Sequence, residues 1–427
     1  MTLVFNLILL GIFFFFLYMF AKKNFKVLFI YGLLVFQGLS IIPSLIYIEE
    51  GIYISEQGRD SFFVGATLIY IVYFIITFLF ILATFNTLKK VKPITPRLKI
   101  GNTILDVKVI FFIVIATLLV LLYNASQSRL PLFDIGVTRF TYWENSKFPF
   151  LNKVLGNTSI FIPFALGILF KRYKKSSIFL MMVYFGYNFL IGQKFSPIVS
   201  GLFSFFLPIV LTSDYKIDFK KIFNKKVLFP LIIIFGVAYA VIYKRYEERS
   251  PYAIIKIYDP NEAIFYRAFG LQGHLMWGAA ETYVYNDEAH SYNFMDLSKG
   301  MQKLMYKFAA VKTGLDKAIN KGFNFTNGYP SILLMVYPIW IALIIHVFLT
   351  VSILGFLGWL LKEFITKKAY VMSVITYQLF NWTIYAFTMG YFYKLKYTII
   401  FLICYSIFVF MNQRTREKLR INQQENN

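Results

Sequence analysis

Apolar runs close to 20 residues long recur along most of the chain, beginning with MTLVFNLILLGIFFFFLYMFAKK. A helix needs about 20 apolar residues to cross the hydrocarbon core of a bilayer, because each residue advances it by only about 1.5 Å. Composition points the same way. Of 427 residues 58% are hydrophobic, 20% are aromatic and 15% are charged, whereas soluble domains carry roughly 25% charged residues. The expected fold is an all-α polytopic transmembrane protein of about eleven membrane helices, one integral membrane domain over 1–427. The predicted spans are 2–21, 27–48, 62–86, 108–123, 156–171, 177–192, 197–212, 227–243, 338–361, 369–390 and 395–411. The first span has no basic stretch before it and no small-residue cleavage site after it, which reads as a retained helix.

The net charge of +23 does not imply a nucleic-acid partner, because the basic residues form no continuous stripe. They gather in alternate connections instead. Segments 22–26, 87–108, 171–175, 213–226, 362–368 and 412–427 together hold 25 Lys and Arg against 6 acids. Segment 49–61 has Glu49, Glu50, Glu56 and Asp60 against Arg59, and 244–328 is nearly neutral. Basic connections stay in the cytoplasm. The expected setting is the bacterial inner membrane, with the N-terminus periplasmic and the C-terminus cytoplasmic. The single cysteine, Cys404, cannot form a disulfide within one chain and reads as a small buried apolar residue.

Two periplasmic segments, 124–155 and 244–328, are longer than connectors need to be. Both are rich in Tyr, Phe, Trp and Leu, which argues for ordered structure. In the second, Met301, Leu304, Met305, Phe308, Leu315 and Ile319 recur at helical spacing, with lysines largely elsewhere. Such a helix either lies in the headgroup layer or rests on a small core of the loop itself.

No Walker loop, dinucleotide fingerprint, paired-histidine zinc motif or nucleophile elbow occurs. The candidate residues therefore come from the external segments. Arg129 and Arg139 flank Leu130-Pro131-Leu132-Phe133-Asp134, and Tyr142, Trp143 and Glu144 follow. Farther on stand Lys244, Arg245, Glu247, Glu248, Arg249, Asp259, Glu262, Arg267, Gln272 and His274. Guanidinium forks suit phosphate oxygens, and aromatic and polar groups suit sugars. Lys244 and Arg245 equally suit snorkelling to the interface. His274 reads either as a general base or as a structural histidine. Lys194, in Gly192-Gln193-Lys194-Phe195-Ser196-Pro197, is either a hairpin lysine or part of a site at membrane level.

These features together resemble the bacterial oligosaccharide repeat-unit polymerases, the Wzy-type O-antigen polymerases. SRLPLFDIGVTRFTYWEN resembles the family's external segment of the form small-x-Pro-Leu-Phe followed by Arg-Phe-x-Tyr-Trp. GQKFSP resembles its Gly-x-Lys-aromatic-Ser turn, and Arg267 with Gly278 has the spacing of its Arg-x10-Gly element. The first loop departs from that element, since Phe140 and Phe150 stand where the glycines would be.

The resemblance implies a GT-C-like membrane fold and no nucleotide sugar. Its reaction transfers a glycan from one undecaprenyl pyrophosphate carrier to a repeat unit on another, at the periplasmic face. The implied pyrophosphate and substrate ligands are Arg129, Arg139, Lys194, Arg249, Arg267 and Gln272. His274 is the implied base, with Glu144 and Glu248 in reserve. No metal or cofactor is implied, and a chain-length-regulating co-polymerase is the implied protein partner. An O-antigen ligase shares this chemistry. A flippase or other lipid-linked oligosaccharide transporter would keep its external loops short.

Overall fold

The computed structural model describes residues 2–51, 63–95, 99–100, 103–134, 136, 137, 139, 141–152, 161–193, 195–213, 270–285, 292–309, 315–320, 325 and 327–425, with scattered positions between 236 and 265. Helices account for most of it, joined by turns and loops and by a two-residue antiparallel pairing of Lys99–Ile100 with Thr103–Ile104. Among the described residues six helical stretches are long and apolar enough to cross a bilayer. They are Thr2–Ile30, Gly32–Glu49, Ala66–Lys90, Asp106–Ser126, Ile339–Thr366 and Phe392–Gln413. The chain is a multi-pass α-helical membrane protein.

The predicted span 369–390 appears as helix Tyr370–Met389. Its Thr376, Gln378, Asn381 and Thr383 hold it below the hydropathy of the other six. The predicted spans at 156–171, 177–192 and 197–212 correspond to helices Phe161–Leu169, Lys174–Leu190 and Phe195–Thr212. Most of the predicted span 227–243 lies outside the described residues. Cys404 is exposed rather than buried. It stands on an outward row of the last helix with Ile400, Ile403 and Ile407, where lipid replaces a protein core.

The chain divides into two compact units. The first holds residues 1–23, 34–75 and 213–339. In it Phe13 of the first helix meets Phe74 of the third edge-on at 5.0 Å, and Gly38 makes room for the Phe74 ring. Glu49 ends the second helix and is buried. Its carboxylate accepts from the backbone N–H groups of Gly65 and Thr67, each at 3.0 Å, and from Thr67 Oγ1 at 2.9 Å. The first turn of a helix carries unsatisfied N–H groups and a positive dipole end, so a carboxylate is the natural cap there.

Helix His274–Tyr285 docks in the same unit. Gly273 N donates to Ser44 Oγ at 2.7 Å, and Ser44 Oγ donates to Gly270 O at 2.7 Å. Trp277, fully buried, donates its indole N–H to Phe63 O at 2.9 Å. The amphipathic pattern at 301–319 yields helix Met301–Phe308, whose Met301, Leu304, Met305 and Phe308 are buried. Phe308 lies against Gly278, where any Cβ would sit 2.7 Å from the ring. The apolar face of this helix rests on protein.

The second unit holds residues 24–33, 76–212 and 340–427. Its core joins Ile110, Val114, Leu118 and Leu121 of one helix to the wholly apolar Phe161–Leu169 helix and to Met181, Tyr184 and Tyr187. Within Ile339–Thr366 the helix widens to a π turn at Thr350–Gly355. A π turn leaves backbone groups out of the regular ladder. Buried Tyr31 donates its hydroxyl to Leu354 O there at 2.9 Å, and Gly358 leaves the space that this hydroxyl occupies. Asp106, also buried, accepts from Tyr370 N at 3.0 Å and so caps helix Tyr370–Met389.

Candidate functional site

Two polar clusters hold candidate residues, one in each unit. In the second unit, the segment after helix Asp106–Ser126 is built around Asn124, which is fully buried in the helix's last turn. Its carboxamide accepts from Phe148 N at 3.1 Å and donates to Tyr142 OH at 3.4 Å. Ser128 adds a second tie, accepting from Lys147 N at 2.9 Å. One asparagine thereby fixes both ends of a loop of more than 20 residues. Tyr142 and Val137 are buried and belong to the core, so Tyr142 anchors the loop.

This fold carries the loop onto the Gly192 turn. Leu132 N donates to Leu190 O at 3.3 Å. Gly192 has φ +73°, a left-handed conformation that glycine tolerates best. A Cβ there would lie 3.0 Å from Pro131 Cβ and 3.8 Å from Arg139 Cβ. Arg139, half-buried, thus stands beside a turn more than 50 residues farther along the chain. Arg129 is exposed and reaches Asp134 at 3.9 Å, a pairing that solvent screens almost completely. Glu144 is exposed. Lys194 lies outside the described residues.

In the first unit His274 opens helix His274–Tyr285 and is 1% exposed. Its Nδ1 sits 2.5 Å from Leu271 O. A carbonyl only accepts, so Nδ1 carries the proton and Nε2 keeps its lone pair. Among the described residues buried Nε2 has no hydrogen-bond partner, and Phe325 packs edge-on at 4.6 Å. Burial drives the imidazole pKa down to about 4, against a small upward push from the Leu271 bond. At neutral pH the ring is uncharged, and a pKa of about 4 makes its lone pair a weaker base than that of an ordinary imidazole. It is enclosed by protein in this conformation.

Next to it three carboxamides from distant segments meet. Asn327, in the left-handed region at φ +68°, donates to Gln272 O at 2.9 Å and faces Gln272 Oε1 at 3.3 Å. Gln37 Nε2 donates to Asn327 Oδ1 at 2.9 Å. Gln272 is therefore joined to partners that the sequence reading did not name. A signal for Gln37 existed, since a lone amide inside an apolar span is costly without a role. Asn327-Gly328 carried only a turn signal. Glu248, Arg249 and Arg267, together with Arg245, lie outside the described residues; Lys244 is exposed.

Among the described residues no group of three or more His, Cys, Asp or Glu side chains is placed to hold a metal ion. Comparison with curated proteins and with solved structures found no match. A protein-family model described as a family of unknown function (DUF6418) matches residues 295–404, from the turn before helix Met301–Phe308 into the last membrane helix.

Proposed function

We propose that the chain is a membrane glycosyltransferase of the Wzy type, polymerising lipid-linked oligosaccharide repeat units at the periplasmic face of the inner membrane. The observation that carries this reading is the meeting of Arg139 and Pro131 with the Gly192 turn. These are the two segments whose sequences resemble that family, and nothing local in the chain obliges them to touch. In the proposed reaction an acceptor sugar hydroxyl attacks the donor's anomeric carbon. The bond from that carbon to the pyrophosphate oxygen breaks, and the lipid pyrophosphate leaves. The hydroxyl proton passes to a base, and a cationic fork such as Arg139 stabilises the charge on the leaving pyrophosphate. The same reading takes the chain across the membrane about eleven times in a GT-C-like arrangement.

Deleting the gene and resolving surface polysaccharide on a gel tests the activity. The expected result is loss of the polymer ladder with a single-repeat form retained. Loss of every capped form would assign the protein to ligation or flipping instead.

Orientation has its own test. Reporter fusions at residues 95 and 220 are expected to read cytoplasm, and one at residue 290 periplasm. A cytoplasmic readout at 290 would remove the basis for a periplasmic reaction.

A further inference from the structure

Three connections that charge alone assigns to the cytoplasmic side meet around one cavity of the second unit. The cavity measures about 190 Å³, more than ten times the roughly 10–15 Å³ that a single water requires. Its polar rim is Asn24, Asn86, Lys89, Lys362 and Glu363. Asn24 belongs to segment 22–26, Lys89 to 87–108 and Lys362 to 362–368. Behind the rim the wall is apolar and comes from the membrane helices themselves, chiefly Phe85 and Trp359.

Each rim residue has a local cause. Asn24 sits at a break in the first helix, with non-helical φ −132° and ψ 39°. Glu363 is paired with Lys367 at 3.5 Å, so its charge is largely answered. Lys362 lies 5.8 Å from the centre of the Phe85 ring. Among the described residues neither Lys89 nor Lys362 has a carboxylate within ion-pair distance. Two ammonium groups and two carboxamides therefore face one space, a donor set suited to phosphate oxygens.

We infer that this cavity binds the phosphate of a glycerophospholipid from the adjoining leaflet. Basic pockets between membrane helices on the cytoplasmic side hold lipid headgroups by this combination of charge and apolar surface. The assignment does not depend on the polymerase reading.

The test uses the full-length protein in discs of phosphatidylglycerol and phosphatidylcholine, released into detergent and weighed by native mass spectrometry. Wild type is expected to retain one phosphatidylglycerol. The Lys89→Gln/Lys362→Gln double variant should bind it roughly 30-fold more weakly, the loss expected for two lysines at a membrane surface. Each single variant should show about a fivefold loss, and these carry the test if the double variant does not fold. Lys90→Gln, next to Lys89 but not lining the cavity, should match wild type. Equal retention by wild type and the double variant overturns the inference, as does an equal loss from Lys90→Gln, which would mean diffuse surface attraction. Displacement of the bound lipid by millimolar inorganic phosphate would overturn the lipid assignment in favour of a soluble anion.

Discussion

Gly167→Ala is expected to prevent stable folding of the second unit, at a cost near the upper end of the roughly 1–3 kcal/mol typical of overpacking, or beyond it. Helix Phe161–Leu169 is buried along its length and meets helix Phe195–Thr212 at Gly167. A Cβ at 167 would overlap the carbonyl oxygen of Phe205 and lie 2.7 Å from Pro208 Cγ. One of these is backbone and the other a ring closed on backbone, so no rotamer change relieves the overlap. Gly358→Ala makes an instructive contrast, because its clash is with the Tyr31 hydroxyl. The phenol oxygen lies on the ring axis, so relief requires the buried Tyr31 ring to shift and give up its bond to Leu354 O, a side-chain movement rather than a backbone one. At Gly186 nothing lies within 4 Å of a Cβ, and alanine in a helix interior is favoured over glycine by about 1 kcal/mol. Thermal midpoints and the folded fraction on size exclusion in detergent should therefore rank Gly186→Ala at or above wild type, then Gly358→Ala, then Gly167→Ala. A Gly167→Ala protein as stable as Gly186→Ala would show that the two helices do not approach as described.

If the chain is the proposed polymerase and His274 its base, His274→Gln is expected to abolish polymer formation while leaving a folded, membrane-inserted protein. Glutamine can still donate to Leu271 O, but it offers no basic lone pair. Removal of a general base lowers rates about 10²–10⁴-fold, enough to reduce a ladder to single repeats. A ladder of normal length from His274→Gln would move the base elsewhere, with exposed Glu144 the next residue to change. The same variant reports on the burial of the ring. The folded-state pKa of about 4 lies below the ordinary histidine value near 6.5, so the unfolded chain binds the proton more readily. Stability from this group is complete above about pH 6.5 and falls as pH drops toward 4, by on the order of 3 kcal/mol in all. The thermal midpoint of wild type should accordingly fall more steeply between pH 7 and pH 4 than that of His274→Gln. Parallel curves would mean that the ring is solvated.

The membrane class of the chain was legible from the sequence because apolar length and charge placement act locally. A helix crosses lipid on the strength of its own 20 residues, and a basic connection is held back by its own charges. The same local logic made Met301, Leu304, Met305 and Phe308 one face of a helix. What that face rests on was not legible, because headgroups and a protein core attract the same stripe equally. Only the approach of Gly278 decided it. The candidate residues divide along the same line. Arg139 and the Gly192 turn could each be picked out by residue type, but their adjacency depends on Asn124 folding the intervening loop back. His274 could be read from sequence as base or structural, since its charge state is set by burial and by the Leu271 carbonyl. Gln37, Glu49 and Asp106 drew no functional attention as isolated polar residues, and tertiary structure gave each of them its partners. Periodicity and charge are properties of a segment. The partner of a buried polar group is a property of the whole fold, because it comes from another segment, 290 residues away for Gln37 and 264 for Asp106.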